Sequence, residues 1–141
     1  MKKHKIKSFC KINLTLRVIK KLDDGYHAIK SLVTFCSLHD VISIEKIEGS
    51  KDKIVFSGPF KNGISKTSNT VSQLLKILRE KKLLRKQAFY ISIKKNIPHG
   101  SGLGGGSANA AYLLNFLNFK MALKLSKKKV KKIAKKIGSD V

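Results

Sequence analysis

Acidic residues are scarce in this 141-residue sequence, with 8 against 31 lysines and arginines, so its formal charge is +23 at neutral pH. Cysteine is also scarce, and Cys10 and Cys36 have the spacing of neither a zinc site nor a redox motif. No apolar run approaches the ~20 residues of a membrane-spanning helix. The basic start lacks the apolar stretch of a secretory signal. These absences together predict a protein of the reducing cytoplasm, without disulfides or a membrane span.

Arginine contributes only 3 of the 31 cationic side chains, and lysine contributes the other 28. Recognition of phosphates and bases by paired hydrogen bonds favours the planar guanidinium of arginine. The charge therefore indicates a solvated lysine-rich surface rather than a dedicated nucleic-acid site, although a basic RNA-binding module stays an alternative. The 42% hydrophobic content is sufficient for one compact domain.

The first half of the chain has the pattern of β-structure. Alternation over residues 9–19 predicts a half-buried strand whose apolar side carries Ile12, Leu14, Leu16 and Val18. A turn at Asp23-Asp24-Gly25 follows, and shorter strands are predicted over 28–38, 41–47 and 53–57. Four strands are thus expected before the first helix.

The second half alternates between helix and strand. Val71, Leu74, Leu75 and Leu78 have helical spacing and predict a helix over 69–84, capped by Ser68 or Asn69. A strand over 88–94 leads into a glycine-rich segment. Val130, Ile133, Ala134 and Ile137 form the apolar stripe of a last helix. The expected fold class is α+β.

Five of the ten glycines lie between residues 100 and 106, after a predicted strand and before a helix expected to begin at Ser107 or Ala108. Glycine allows the backbone to approach a ligand closely, so that several N–H groups can point at one phosphate chain. The helix N-terminus adds a favourable dipole, and Ser107 can cap the helix or offer its hydroxyl to a phosphate or Mg²⁺. The segment predicts an anion site, with a flexible hinge as the alternative. It is not a Walker A loop, because no Gly-Lys-Ser/Thr ends it.

Four motifs resemble those of the GHMP kinases. They are Pro98-His-Gly-Ser-Gly-Leu-Gly-Gly-Gly-Ser-Ala, Lys11-Ile-Asn-Leu, Asp24-Gly-Tyr-His and Gly138-Ser-Asp-Val141. The resemblance implies an α+β fold of the ribosomal-protein type, in which helices pack on one sheet in two layers. It also implies that residues 1–141 form the N-terminal, ATP-binding domain, with a second domain of the family absent from this chain.

The implied activity is transfer of the γ-phosphoryl group of ATP, with Mg²⁺, to a small-molecule alcohol. The first-strand and turn motifs are similar to those of the family branch that phosphorylates the 2-hydroxyl of diphosphocytidyl methylerythritol in non-mevalonate isoprenoid precursor synthesis. Another small-molecule kinase of the family is the alternative. Neither a specific nucleic-acid partner nor a membrane is implied.

The resemblance also implies roles for individual residues. Asp140 is the expected catalytic base, and Lys11 is expected to hold it ionised or to orient the hydroxyl. Asn13, Tyr26 and His27 are the expected substrate contacts. Asn69 is expected near the adenine or, equally, as a helix N-cap. The imidazole of His99 has no catalytic role in this interpretation. The expected ATP contacts are Asn69 and Pro98, His99, Gly100, Ser101, Gly102, Leu103, Gly104, Gly105, Gly106, Ser107 and Ala108.

Overall fold

A computed structural model describes residues 2–84 and 86–141 as one sheet with three helices. The strands are β1 (His4–Lys21), β2 (His27–Ile47), β3 (Lys53–Ser57) and β4 (Ala88–Lys94). The helices are α1 (Thr70–Glu80), α2 (Gly105–Lys120) and α3 (Lys127–Ile137). Within the described part of the chain, no helix is both long enough and apolar enough to cross a membrane.

The sheet has the strand order β1-β2-β4-β3. β2 pairs antiparallel with both β1 and β4, whereas β3 and β4 are parallel and are connected through α1. A mixed sheet with helices packed against it is the α+β arrangement expected from the sequence. The expectation is confirmed.

The core lies between the sheet and the helices. Ile42 and Ile44 of β2 face Ile93 and Ile91 of β4 in register, and all four are at most 3% exposed. The helices cover this layer with apolar side chains at helical spacing, as expected for amphipathic helices. The fully buried helical residues include Val71, Leu74 and Leu78 of α1, Leu113, Leu114 and Leu117 of α2, and Ile133 of α3.

A long β1–β2 hairpin differs from the sequence-based expectation in two ways. The segments 28–38 and 41–47 form one strand, so three strands and not four precede α1. The strand predicted over 9–19 is buried or half-buried only up to Ile12: every side chain over 13–21 is exposed, and Leu14, Leu16 and Val18 are 57–58% exposed. The reason is that alternation fixes which side chains share a face but not whether a helical layer covers that face.

Two helix boundaries also differ from the prediction. α1 ends at Glu80, before residue 84, because Lys82 takes a left-handed backbone (φ +55°) and Leu83 N–H donates to the Leu78 carbonyl. α2 begins at Gly105, earlier than Ser107 or Ala108, since Ala108 N–H already donates to the Gly104 carbonyl at 2.8 Å. Ser107 is therefore inside the helix and is not its cap.

The two cysteines are free and lie on neighbouring strands. Cys10 is 1% exposed and sits at an irregularity of β1 that is directly followed by Lys11. Burial, reinforced by the nearby Cys36, raises the pKa of the Cys10 thiol. Cys10 is therefore a neutral, apolar neighbour of Lys11 at neutral pH.

Candidate active site

The glycine loop, residues 98–106, connects β4 to α2 and adopts a backbone that few other residues tolerate. Gly100, Gly102 and Gly104 have φ angles of +73°, +76° and +68°. Left-handed residues that alternate with others turn successive N–H groups toward one side, which creates an anion-binding concavity. Gly104 is the N-cap of α2, so the unpaired N–H groups of the first helical turn face the same region.

Gly105 has a different requirement, namely close packing. A Cβ atom at Gly105 would lie 2.9 Å from Cγ2 of Ile97 and 3.3 Å from Nζ of Lys95. Only glycine allows the first turn of α2 to approach the end of β4 this closely. The start of α2 is thereby held against the segment that precedes the loop.

Lys11 is attached to the glycine loop through its backbone. Its N–H donates to the Leu103 carbonyl at 3.0 Å, at a point where the β1–β2 pairing is irregular. A Cβ atom on Gly104 would lie 3.8 Å from Cβ and Cε of Lys11. The lysine side chain therefore runs along the loop.

The side chains of Lys11 and Asp140 meet beside this loop. Lys11 Nζ donates to Asp140 Oδ2 at 3.1 Å, and the two side chains are 24% and 54% exposed. Asp140 follows α3, so the contact brings the first strand and the end of the last helix together. The predicted catalytic pair is thus assembled, and its aspartate is accessible from solvent.

A first cavity of about 470 Å³ lies over the glycine loop. Lys95, Asn109 and Asp140 also contribute to its wall. Two predicted ATP contacts do not line this cavity. Leu103 is not part of its wall, and Ala108 lines a separate cavity that also contacts Lys11 and Asp140. The predicted ATP contacts that do line the first cavity are Asn69, Pro98, His99, Gly100, Ser101, Gly102, Gly104, Gly105, Gly106 and Ser107.

A second cavity of about 670 Å³ lies on the other side of Asp140. Tyr26 and His27, at the tip of the β1–β2 hairpin, form one of its walls. The turn is held by Asp24, whose carboxylate accepts the Tyr26 N–H at 3.1 Å. Asn13 is exposed on β1 two residues beyond Lys11 and lines neither of these two cavities.

Asn69 is the N-cap of α1. Its side-chain oxygen accepts from the N–H groups of Val71 and Ser72 at 3.0 and 2.9 Å, and Ser72 Oγ accepts from the Asn69 N–H at 2.9 Å. This reciprocal pattern is a capping box. Asn69 also lines the first cavity. In addition, Thr70 Oγ donates to the Gly106 carbonyl at 2.6 Å, which joins the start of α1 to the start of α2.

Sequence reasoning missed a buried polar cluster of Asp40, Lys95 and Asn109, which are 0%, 3% and 2% exposed. Lys95 donates to Asp40 Oδ2, and so does Asn109 Nδ2, at 3.0 Å. Two features of the sequence around Asp40 could have indicated this cluster. Asp40 is one of only eight acidic residues, and it stands in an apolar strand beside Val41 and Ile42.

Comparison with known proteins identifies the family to which this chain belongs. Residues 69–141, just over half of the chain, match the family described as the GHMP kinases N terminal domain. The chain belongs to the GHMP kinase family. The resemblance of the glycine loop and of the Gly138-Ser-Asp-Val141 segment is thereby confirmed.

More specific similarities point to one branch of the family. The chain is 50% identical over all 141 residues to the 4-diphosphocytidyl-2-C-methyl-D-erythritol kinase of Pelagibacter ubique (strain HTCC1062), of which it covers 50%. It is 41% identical over 136 residues to the kinase of the same name from Thermosipho melanesiensis, covering 96% of this chain and 46% of that one. The chain thus spans about half the length of the curated relatives that it matches.

Solved structures give the same result for the fold. A crystal structure of 4-(cytidine 5'-diphospho)-2C-methyl-D-erythritol kinase superposes with a TM-score of 0.73 at 28% identity, covering 98% of this chain and 47% of that one. Homoserine kinase from Cytophaga hutchinsonii superposes with a TM-score of 0.69 at 18% identity, covering 96% of this chain and 40% of that one. The second similarity concerns the fold alone.

Proposed function

We propose that residues 1–141 are the ATP-binding, N-terminal domain of a kinase that phosphorylates the 2-hydroxyl of 4-diphosphocytidyl-2-C-methyl-D-erythritol. The reaction belongs to non-mevalonate isoprenoid precursor synthesis, and we place it in the cytoplasm. The observation that carries the proposal is the position of Asp140, which lines both the cavity over the glycine loop and the cavity beside Tyr26 and His27. A phosphoryl donor and an alcohol acceptor bound in these two cavities would meet at its carboxylate.

The first cavity is assigned to ATP. The N–H groups of the glycine loop and of the first turn of α2 suit the oxygens of a triphosphate, because backbone donors in this geometry need no side chain and carry the helix dipole. The Cβ positions of Gly100 and Gly102 have no atom within 4 Å, so the loop backbone is open to a ligand at these two residues. Asn69, Pro98 and Ser101 form the part of the wall at which the nucleoside would lie.

Mg²⁺ is assigned as the counter-ion of the triphosphate. Among the described residues no three His, Cys, Asp or Glu side chains cluster into a metal site. Such a cluster is not required, because Mg²⁺ in phosphoryl-transfer sites is held largely by phosphate oxygens and water with one or two protein ligands. The Ser107 hydroxyl, in the cavity wall, suits this role. The ion would neutralise charge on the β- and γ-phosphates.

Asp140 is assigned as the base that accepts the proton of the 2-hydroxyl. A tertiary alcohol is a hindered nucleophile, so positioning and charge stabilisation supply most of the catalysis in such a transfer. Lys11 Nζ, at 3.1 Å, orients the carboxylate of Asp140 and provides positive charge where the phosphoryl group moves.

Tyr26 and His27 are assigned to the cytidine of the substrate. An exposed aromatic ring can stack on the base, and an imidazole can hydrogen-bond to its edge. Asn13 is assigned to the methylerythritol part, because it follows Lys11 on the same strand by two residues.

The test is a phosphoryl-transfer assay with ATP and the diphosphocytidyl substrate, in which ADP and the phosphorylated product are quantified. We predict that, in a version of the kinase that spans the full length of its relatives, Asp140→Asn lowers kcat by on the order of 10²–10⁴, the usual contribution of a positioned base, while the affinity for ATP changes little. The matched control is Glu48→Gln, which removes one negative charge at an exposed position.

The control is expected to retain the kcat of the unsubstituted chain. Unchanged turnover in Asp140→Asn would mean that the base lies elsewhere. Transfer to a different alcohol, with none to the diphosphocytidyl substrate, would favour another small-molecule kinase of the family.

A further inference from the structure

Asp40 is a fully buried carboxylate of β2 that the assigned chemistry does not use. Its Oδ1 accepts from the N–H groups of Asn96 and Ile97 at 2.7 and 2.9 Å. Its Oδ2 accepts from Asn109 Nδ2 at 3.0 Å and from the ammonium group of Lys95. One side chain thus holds four donors from two separate segments, which fills the roughly four acceptor sites of a carboxylate and links the two segments to each other.

These donors lie at the two ends of the glycine loop. Lys95, Asn96 and Ile97 come directly before the loop, and Asn109 lies in the second turn of α2, directly after it. Asp40 itself does not line the first cavity, whereas Lys95 and Asn109 do. The carboxylate therefore connects the entry and the exit of the loop from beneath the site.

The packing of Gly105 makes the loop sensitive to this connection. A Cβ atom there would contact Ile97 and Lys95, so these two side chains define how closely the first turn of α2 can approach. Both residues are bound to Asp40. A shift of residues 95–97 would therefore move the N–H groups assigned to the triphosphate.

We propose that Asp40 is a positioning residue for nucleotide binding: it fixes both ends of the glycine loop so that the loop is ordered before the triphosphate arrives. The proposal rests on the proposed function, since it concerns the same phosphate site. A loop that is already ordered binds more tightly because less conformational entropy is lost on binding.

The test compares Asp40→Asn with Asp52→Asn by calorimetric titration with a non-hydrolysable ATP analogue and with AMP. Asp52 is a matched control: it accepts from Arg79 and from the Phe89 N–H at 2.9 Å, so it also joins a cation and a backbone donor, but it does not line the first cavity. The hydrogen bond to its carboxylate raises the pKa of the Arg79 guanidinium. Asp52 is thus paired with a cation, as Asp40 is with Lys95.

The Asp40→Asn chain is expected to bind the ATP analogue about tenfold more weakly, the scale of one lost charge-assisted hydrogen bond, with a smaller effect on AMP. Asp52→Asn is expected to lower Tm while it leaves both affinities unchanged. Equal affinities in Asp40→Asn and the unsubstituted chain would overturn the proposal. An equal loss of affinity for the ATP analogue in Asp40→Asn and Asp52→Asn, at the same reduction of Tm, would also overturn the proposal.

If Asp40→Asn does not fold, Asn109→Leu replaces it. Asn109 Oδ1 has no hydrogen-bond partner among the residues that the structure describes, so the one hydrogen bond that leucine removes is that from Nδ2 to Asp40. Because Asn109 also lines the first cavity, AMP serves as the control for the changed cavity wall. A weaker affinity for the ATP analogue with an unchanged affinity for AMP supports the proposal, and unchanged affinity for both overturns it.

Hydrogen exchange separates this proposal from the proposed function. If the unsubstituted chain binds no ATP analogue, the proposed function fails, and the role of Asp40 is then measured on the free chain. Faster exchange of the amides over 99–107 in Asp40→Asn than in Asp52→Asn supports the role, and equal exchange overturns it.

Discussion

At the scale of single residues, the contact between Lys11 and Asp140 spans 129 positions of the sequence. Lys11 is one of 28 lysines, and in the sequence only its place in the Lys11-Ile-Asn-Leu motif separates it from the others. In the folded chain, two hydrogen bonds distinguish Lys11 from the other lysines. Its backbone N–H donates to the Leu103 carbonyl, and its side chain donates to Asp140. A particular lysine becomes a candidate catalytic group because the backbone fixes its Cα beside the glycine loop.

Three of the few aspartates each form an ion pair that joins separate segments of the chain. Asp40 holds the ends of the glycine loop, Asp52 holds Arg79 and β4, and Asp140 holds Lys11. Removing an acid that is buried with several donors destabilises a protein more than breaking a surface ion pair does, because the opposite charge is left buried and unpaired. Asp40 meets that condition most fully.

Gly104 gives a prediction at the residue scale. Gly104→Val is expected to abolish binding of a non-hydrolysable ATP analogue, because valine resists the left-handed backbone at φ +68° and its side chain would press on Lys11, whose Cβ and Cε lie 3.8 Å from a Cβ at this position. Titration calorimetry measures the affinity. Gly49→Val is the matched control, since Gly49 also has a positive φ (+115°), but with nothing within 4 Å of its Cβ position.

Both variants are expected to lose stability by about 1–2 kcal/mol from backbone strain. Only the substitution at Gly104 should affect the nucleotide. An ATP affinity that survives in Gly104→Val would remove the glycine loop as the phosphate site.

At the scale of secondary-structure elements, the candidate site is formed where β1, β4, α1 and α2 come together. The end of β4 leads into the loop, the start of α2 closes it, and Thr70 at the start of α1 bonds to Gly106. Two helix N-termini thus lie at one cavity. Such an arrangement favours anions, because both helix dipoles direct positive potential toward the same region.

The cap of α1 gives a prediction at this scale. Asn69→Ala is expected to lower the free energy of unfolding by about 1 kcal/mol, because the N–H groups of Val71 and Ser72 lose their acceptor. Asn69→Asp keeps an acceptor oxygen in place and is expected to retain most of that stability. Urea denaturation measures both values.

An equal loss of stability in the two variants would mean that the capping bonds do not stabilise α1. A weaker ATP affinity in Asn69→Asp, at retained stability, would add support for the contact with adenine.

Several elements could be predicted from sequence because their signals are local. The spacing of Val71, Leu74 and Leu78 predicted a helix whose apolar residues are buried, and alternation through Phe89, Ile91 and Ile93 predicted a strand that is buried on that face. The glycine loop was predicted because its unusual backbone requires an unusual composition. In these elements, the local sequence is sufficient to predict the backbone conformation.

Other features depend on distant partners and could not be predicted in this way. The exposure of Leu14, Leu16 and Val18 depends on where the helices lie over the hairpin. The position of Asp40 depends on donors 55–69 residues later in the chain. Composition and periodicity contain no information on such contacts, and the resemblance to GHMP kinases concerned only the motifs at the loop, the hairpin and Asp140.

At the scale of the whole molecule, lysine dominates a surface of +23 formal charge. We predict that binding to RNA is weak and not sequence-selective, and that it falls by about tenfold or more between about 50 and 200 mM salt, because counterion release drives it. Fluorescence anisotropy with two unrelated RNA oligonucleotides measures this. Nanomolar binding of one RNA over the other at physiological salt would instead favour an RNA-binding module.

We propose above all that the glycine loop of this GHMP kinase domain binds the triphosphate of ATP beside Lys11 and Asp140. The most direct test is an NMR titration of the ¹⁵N-labelled chain with a non-hydrolysable ATP analogue and Mg²⁺, followed at the backbone amides. We expect the largest shifts over residues 100–107 and at Lys11, and smaller shifts there with AMP. Saturable shifts concentrated elsewhere, or no shifts in the glycine loop, would contradict this proposal.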